Sequence, residues 1–213
     1  MSAESSTLQV GDGLKPPLQS SAIHKPANWL DLLDWREVFA KIRPLEIDIG
    51  CGKGNFLAWA AGARPQHNFL GVERQLKRLR KVDKKVVRLG LTNVRLLRVE
   101  AGYFVSKLVP PNSVSVYHIY FPDPWPKRRH HRRRLFNESF VAGLHRTLVR
   151  GGVVNLATDD ADYFQQVEKA VVQSGEFDVR PPEVLPDAAR TEFEKIFLAT
   201  GKTIYRSRYV RRD

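Results

Sequence analysis

The chain has 213 residues, enough for one well-cored domain and too few for a second full one. Lysine and arginine number 35 against 23 acids, a net charge of +12 with a pI near 10.0, which points to a polyanionic partner: nucleic acid or an anionic surface. One cysteine, Cys51, excludes an intramolecular disulfide framework and a metal site built on several thiolates. No stretch approaches the roughly 18 apolar residues of a membrane span. Met1 to Ser21 lacks the basic start and apolar core of a secretory signal, so a cytoplasmic location without membrane contact is expected.

Residues 1–25, rich in Ser, Gly, Pro and Gln without apolar periodicity, read as a flexible leader, and 26–213 as a single domain. Trp29 to Ile42 carries apolar residues at helical spacing and predicts an amphipathic helix. From Pro44 onward strands and helices alternate. Leu45–Ile49 predicts the first strand, Asn55–Ala61 a helix, Asn68–Val72 the second strand and Gln75–Leu89 a charged helix. Asn93–Val99 and Val114–Tyr120 read as the third and fourth strands, and a helix over Asn137–Leu148 precedes Gly151-Gly152 and a fifth strand at Val153–Ala157. Asp162–Ser174 is helical, and Thr203–Val210 supplies late strands, antiparallel if they join the sheet. The alternation implies an α/β, doubly wound, mostly parallel sheet with right-handed crossovers. No internal repeat is present, and a monomer or homodimer is expected.

Gly50-Cys51-Gly52-Lys53-Gly54 lies between the first strand and the first helix of that alternation. Glycines there let backbone approach a ligand closely. The spacing is G-x-G-x-G, unlike the G-x-G-x-x-G that opens a pyrophosphate-binding dinucleotide site. Acids stand at the ends of three successive strands: Asp48, Glu73 and Glu100. Glu73 is placed to accept the two ribose hydroxyls of a nucleoside, and Glu100 to meet an adenine amino group. Such a pocket repels pyrophosphate. It suits a nucleoside that carries a sulfonium and an ammonium, which is S-adenosyl-L-methionine.

The fourth strand runs into Phe121-Pro122-Asp123-Pro124-Trp125-Pro126. Prolines on both sides restrict the backbone at Asp123, and the flanking aromatics offer stacking surface for a planar base. Lys127-Arg128-Arg129-His130-His131-Arg132-Arg133-Arg134 follows at once. That much like charge repels itself unless a polyanion is near, so RNA phosphates are its expected partner. His130 and His131 have only cationic neighbours, and no metal is expected there.

Asp48-Ile49-Gly50-Cys51-Gly52-Lys53-Gly54, then Phe121-Pro122-Asp123-Pro124-Trp125 with Lys127 and the His/Arg run, then Ala157-Thr158-Asp159 and Thr191-Glu192-Phe193-Glu194 occur in that order. Together they resemble the bacterial tRNA (guanine-N7-)-methyltransferase family, over about Leu45 to Arg211. The resemblance implies a Rossmann-like class I methyltransferase fold, S-adenosyl-L-methionine as cofactor and a guanine of tRNA, in the variable loop, as target. It implies Asp48, Gly50, Gly52, Glu73, Glu100 and Asp123 at the cofactor, with Asp123 also catalytic. It places Lys127, Asp159, Thr191, Glu192, Phe193 and Glu194 at the substrate. Two positions depart from the family pattern. Its first cofactor acid is often Glu, which leaves Glu46 and Asp48 as alternatives, and the Arg that commonly follows Thr-x-Phe-Glu is replaced by Lys195 and Ile196.

Guanine N7 keeps a free lone pair at neutral pH and can attack the methyl directly, so Asp123 is expected to orient the base rather than abstract a proton. Its carboxylate can accept the donors on guanine's Watson–Crick edge, a task Asp159 and Glu194 can share. The basic run and the Arg-rich end (Arg206, Arg208, Arg211, Arg212) are expected to dock the RNA backbone. Three rivals remain at this stage. They are methylation of an exocyclic amine or small molecule, a nucleic-acid-binding protein on a decayed enzyme fold, and an NAD-linked oxidoreductase.

Overall fold

Short β-branched runs alternating with amphipathic stretches become a seven-stranded sheet in a computed structural model, which describes residues 21–213. The strands are β1 (Leu45–Ile49), β2 (Asn68–Val72), β3 (Val94–Leu97), β4 (Val114–Tyr120), β5 (Leu148–Thr158), β6 (Phe177–Arg180) and β7 (Tyr205–Arg211). Their spatial order is β3-β2-β1-β4-β5-β7-β6. All neighbours from β3 to β5 are parallel, whereas β7 pairs antiparallel with both β5 and β6. The chain winds outward from β1 to β3 and then returns to β4 on the other side of β1. Strand order therefore reverses between β1 and β4, and a crevice opens there beyond their carboxyl ends. The doubly wound expectation holds.

The helices are α1 (Trp35–Val38), α2 (Asn55–Ala63), α3 (Leu76–Arg88), α4 (Ala101–Tyr103, running on as a π turn over Phe104–Leu108), α5 (Glu138–Thr147), α6 (Ala161–Ser174) and α7 (Glu192–Ala199). β1 is buried along its whole length, as a central parallel strand covered on both faces must be. Its odd positions, Leu45, Ile47 and Ile49, join Phe104, Leu108, Phe140 and Tyr163 in one core. The second core, on the opposite face, packs Phe56, Leu57, Leu79, Val82 and Val86 of α2 and α3 over Phe69, Val94 and Leu96. Glu46 and Asp48 face this second layer.

Most sequence-based boundaries hold within two residues, but several do not. The long helix expected over Trp29–Ile42 is reduced to the four residues of α1. Short polar side chains compete for its backbone. Asn28 Oδ1 accepts the Leu30 amide at 3.0 Å and Asp34 Oδ1 the Arg36 amide at 2.9 Å. Tertiary bonds divert the rest: the Leu33 amide donates to Leu108 O, and the Tyr103 hydroxyl to Trp29 O. Of the leader expected over 1–25, residues 22–24 are docked on the domain. Ala22 O accepts the Leu96 amide, the His24 amide donates to Leu96 O, and the Ala22 amide donates to Asp83. Residues 1–20 lie outside the described residues. β6 and α7 were not foreseen, and β5 begins at Leu148 rather than Val153, with an irregular register at Gly151-Gly152. Among the described residues, no helix is long and apolar enough to cross a membrane, and no group of three or more His, Cys, Asp or Glu could hold a metal ion.

Candidate active site

At the switch between β1 and β4 lies a cleft of about 630 Å³. Its floor is the glycine loop. Gly50, Gly52 and Gly54 all adopt positive φ, at 76°, 54° and 66°, so the chain turns from β1 into α2 through conformations that side chains disfavour. Gly54 caps α2 and is also crowded: a Cβ there would sit 2.6 Å from Val82 Cγ1. Gly54→Ala is therefore expected to lower stability by about 1–3 kcal/mol, since strain and overpacking act together. Chemical denaturation checks this, and a stability equal to wild type would contradict it.

Carboxylates line one wall. Asp48 and Glu73 are both buried, at 4% and 6% exposure. Glu73 Oε1 accepts the Gln75 amide at 2.8 Å, and Arg78 stands 3.9 Å from its other oxygen. Asp48 has no ion pair among the described residues. Its burial, with the Glu73 charge nearby, raises its pKa to about 7. Glu100 is more exposed and caps α4, accepting the Gly102 and Tyr103 amides at 2.9 and 2.7 Å. This acceptor set fits a cationic nucleoside: hydrogen-bond acceptors and negative charge lie along a glycine cradle.

Two alternatives for the first acid now separate. Glu46 points from the same face of β1 but lies deeper, below α2. It accepts Arg64 Nε and Nη2 at 2.9 Å each, and lies 2.7 Å from His67 Nδ1 and 2.8 Å from His118 Nε2. Burial opposes its ionisation, but the imidazole and the guanidinium prevail and hold the carboxyl down to about 2. His118, itself fully buried, is shifted toward the neutral form by desolvation. The network assigns its Nε2–H to Glu46 and its Nδ1 to the Tyr120 hydroxyl at 3.1 Å. Glu46 is thus a structural anion. Asp48 is the acid that faces the cleft.

A pH dependence follows. The folded value of Asp48, about 7, lies above its ordinary 3.8. The stability it allows is complete below pH 3.8 and is lost as pH rises through about 7. Between about pH 5 and about pH 8 the wild-type melting temperature is expected to fall more than that of Asp48→Asn, and a cationic ligand should bind more tightly as pH rises through the same window. Parallel melting profiles for the two proteins would contradict the assignment.

Across the cleft, β4 ends in the Phe121–Trp125 loop. Phe121 and Trp125 both carry positive φ, 55° and 46°, which is rare for aromatic residues and marks a backbone held by its surroundings. The Phe121 amide donates to Ala157 O at 2.7 Å. The other anchor is Arg134, the last residue of the basic run, whose side chain is only 2% exposed. Its Nε donates to Pro124 O at 2.7 Å, its Nη1 to Gln166 Oε1 at 2.6 Å and its Nη2 to Asp162 Oδ2 at 2.6 Å. Its guanidinium also lies 5.1 Å above the Tyr163 ring. The expectation that the whole run docks RNA is corrected here, because Arg134 turns inward. The preceding Arg128–Arg133 form a 3₁₀ turn, with Arg133 4.9 Å above the Trp125 ring. Asp123 is exposed and lines the cleft opposite Asp48 and Glu73.

The third wall is the start of α7. Thr191 caps it, its hydroxyl accepting the Glu194 amide at 3.1 Å. Thr191, Glu192, Phe193 and Ile196 all line the cleft. Glu192 pairs with Lys53 Nζ of the glycine loop at 3.0 Å, which ties the glycine loop to α7. Phe193 is 44% exposed and stacks on Phe197. Three expected substrate residues lie off the cleft lining. Glu194 is buried and paired with Arg206 and Arg190. Asp159 is paired with Lys202 at 2.5 Å, and Lys127 is exposed at the head of the 3₁₀ turn. Arg206 meets Glu194 from β7, a cation from elsewhere in the chain where the family's following Arg is replaced. Residues not singled out from sequence also line the cleft: Phe56, Arg78 and Tyr120.

A protein-family model described as "Putative methyltransferase" matches residues 42–207. A tRNA (guanine-N(7)-)-methyltransferase of Rubrobacter xylanophilus is 34% identical over 193 residues, covering 89% of this chain and 86% of that protein. The enzyme of the same name from Geobacter metallireducens is 37% identical, covering 81% and 84%. Among solved structures, a 16S rRNA methyltransferase, KamB, superposes with a TM-score of 0.62 at 13% identity, covering 85% of this chain and 94% of that one, a likeness of fold. The match over most of both chains, at identities above one third, makes the protein a member of the tRNA (guanine-N7-)-methyltransferase family.

Proposed function

We propose that the protein is an enzyme that transfers a methyl group from S-adenosyl-L-methionine to N7 of a guanine in the variable loop of tRNA. The observation that carries this reading is the opposition, across one cleft, of a buried acidic wall and a rigid acid-bearing aromatic loop that leads into a basic run. S-adenosyl-L-methionine supplies a methyl group already activated on a positive sulfonium. Asp48 and Glu73 offset positive charge and accept ribose hydroxyls, while Gly50 and Gly52 admit the ligand close to the backbone and Glu100 meets the adenine. On the other side Trp125 and Phe193 present ring faces to the base. Asp123 accepts from its Watson–Crick edge, because a carboxylate offers acceptors only and that edge of guanine offers donors. N7 carries no proton at neutral pH, so no base is needed there and the residues act by positioning. Thr191 holds the start of α7 in place, and Lys127 and Arg133 meet phosphates. Asp159 and Glu194 reach the substrate only by exchanging their Lys202 and Arg206 partners for it.

Methyl transfer to a tRNA transcript built with 7-deazaguanosine tests this reading. That base keeps the Watson–Crick edge and lacks only the accepting nitrogen. The transcript should bind and accept no methyl, and methylation equal to that of an ordinary transcript would sink the N7 assignment.

A further inference from the structure

Helix α3 has an unusual sequence, LKRLRKVDKKVVR. Its apolar residues Leu79, Val82 and Val86 are buried against the sheet. On the opposite side Lys77, Arg80, Lys81, Lys84 and Arg88 fall at i, i+3, i+4, i+7 and i+11, which places all five on a single exposed stripe. Over those eleven steps the stripe is about 16 Å long. None of the five forms a salt bridge among the described residues. The helix's one acid, Asp83, lies off the stripe and is occupied by the Ala22 amide and the Ser21 hydroxyl. Like charges at these spacings destabilise a helix, so the arrangement works against α3 itself and fits a polyanion laid along it.

Position supports the same partner. α3 starts at the cleft, where Arg74 and Arg78 line the mouth, and Arg98 adds a further exposed cation whose Nε lies 3.3 Å from Arg74 O. From there the helix runs away from the switch point, on the β2–β3 side. The 128–133 turn follows β4, on the other side of the cleft. We infer that the α3 stripe is a second RNA-binding track, separate from the Lys127–Arg133 run. It would hold the sugar–phosphate backbone of the tRNA body while the target guanine occupies the cleft. This rests on the RNA reading of the cleft. Contacts of this kind position a nucleic acid and carry no base specificity.

The test combines Lys77→Gln, Arg80→Gln, Lys81→Gln and Lys84→Gln in the full chain. None of these residues lines the cleft. Binding of a tRNA transcript is followed by fluorescence anisotropy across a salt series, beside a short guanine-containing single strand that fills the cleft alone. With four phosphate contacts removed, the slope of log K against log salt should fall in magnitude by about three, and tRNA should bind at least about 10-fold more weakly near physiological salt. The short strand and S-adenosyl-L-methionine should bind within about 2-fold of wild type, with a melting temperature no lower, since like-charge neighbours have been removed. An unchanged tRNA slope, or equal weakening of the short strand, overturns the second track. Loss of binding to phosphatidylserine vesicles with tRNA binding intact assigns the stripe to a membrane surface instead. A wild-type protein that binds no tRNA overturns the reading of the cleft, and the track with it.

Discussion

Asp123→Asn is expected to lower kcat about 100-fold while leaving S-adenosyl-L-methionine affinity within a few-fold of wild type. The substitution keeps size and shape. It replaces one of two acceptor oxygens by an NH₂ that meets guanine's own donors, so the base loses its alignment and gains a repulsive contact. The side chain is exposed on a loop whose backbone is held from elsewhere, by Ala157 O and Arg134, so stability should change little. Single-turnover methylation beside calorimetric cofactor binding separates the two effects. Near-full turnover with normal binding would remove Asp123 from the chemistry. A loss of cofactor affinity as large as the loss of rate would instead make it a cofactor ligand first.

Arg134→Met should damage both the fold and the rate, although Arg134 touches no substrate. The thioether side chain fills similar space but leaves Pro124 O and Gln166 Oε1 without their donor. The remaining carboxylate, Asp162, is 71% exposed and can return to water, so the penalty is that of lost buried hydrogen bonds rather than of a stranded charge. About 1–3 kcal/mol of stability is the expected loss, or several degrees in melting temperature for a chain of this size. The larger effect should fall on kcat. Pro124 is the peptide neighbour of Asp123, and freeing its carbonyl relaxes the positive-φ turn that aims the carboxylate. Arg134→Lys keeps a cation beside Asp162 but cannot bridge three acceptors, and should fall between the two. Asp162→Asn should change little. If Arg134→Met lost stability in full while kcat stayed at the wild-type value, Arg134 would be a structural residue without a positioning role.

The contrast between Arg133 and Arg134 shows where reading the sequence stops. Adjacent arginines in a run of like charge are indistinguishable by pattern, yet one lies over the half-buried Trp125 ring while the other is buried against Tyr163. Only the arrival of α6, with Asp162 and Gln166, decides which turns inward. Glu46 and Asp48 posed the same difficulty. They share a face of β1, and what separates them is depth: Arg64, His67 and His118 converge on Glu46 from distant positions, whereas Asp48 reaches the open end of the strand. The strand ends, the glycine loop and the acids after β1, β2 and β3 were legible because the doubly wound pattern ties sequence order to place. The Trp29–Ile42 segment was not legible. Its helical spacing is genuine, but backbone groups that a helix needs bond to Leu108 and Tyr103 instead. Thr191 and Glu194 in Thr-Glu-Phe-Glu form a good capping signal for α7, but the helix behind them is too short to sustain an apolar period.

The most direct test of the account is where the methyl group lands. Unmodified tRNA is incubated with the protein and labelled S-adenosyl-L-methionine, then treated with the reduction and aniline chemistry that breaks the chain at N7-methylguanosine. One break is expected, within the variable loop, matching the incorporated label in amount. Label retained on RNA that does not break would place the methyl on another atom and contradict it, as would breaks scattered over many guanines.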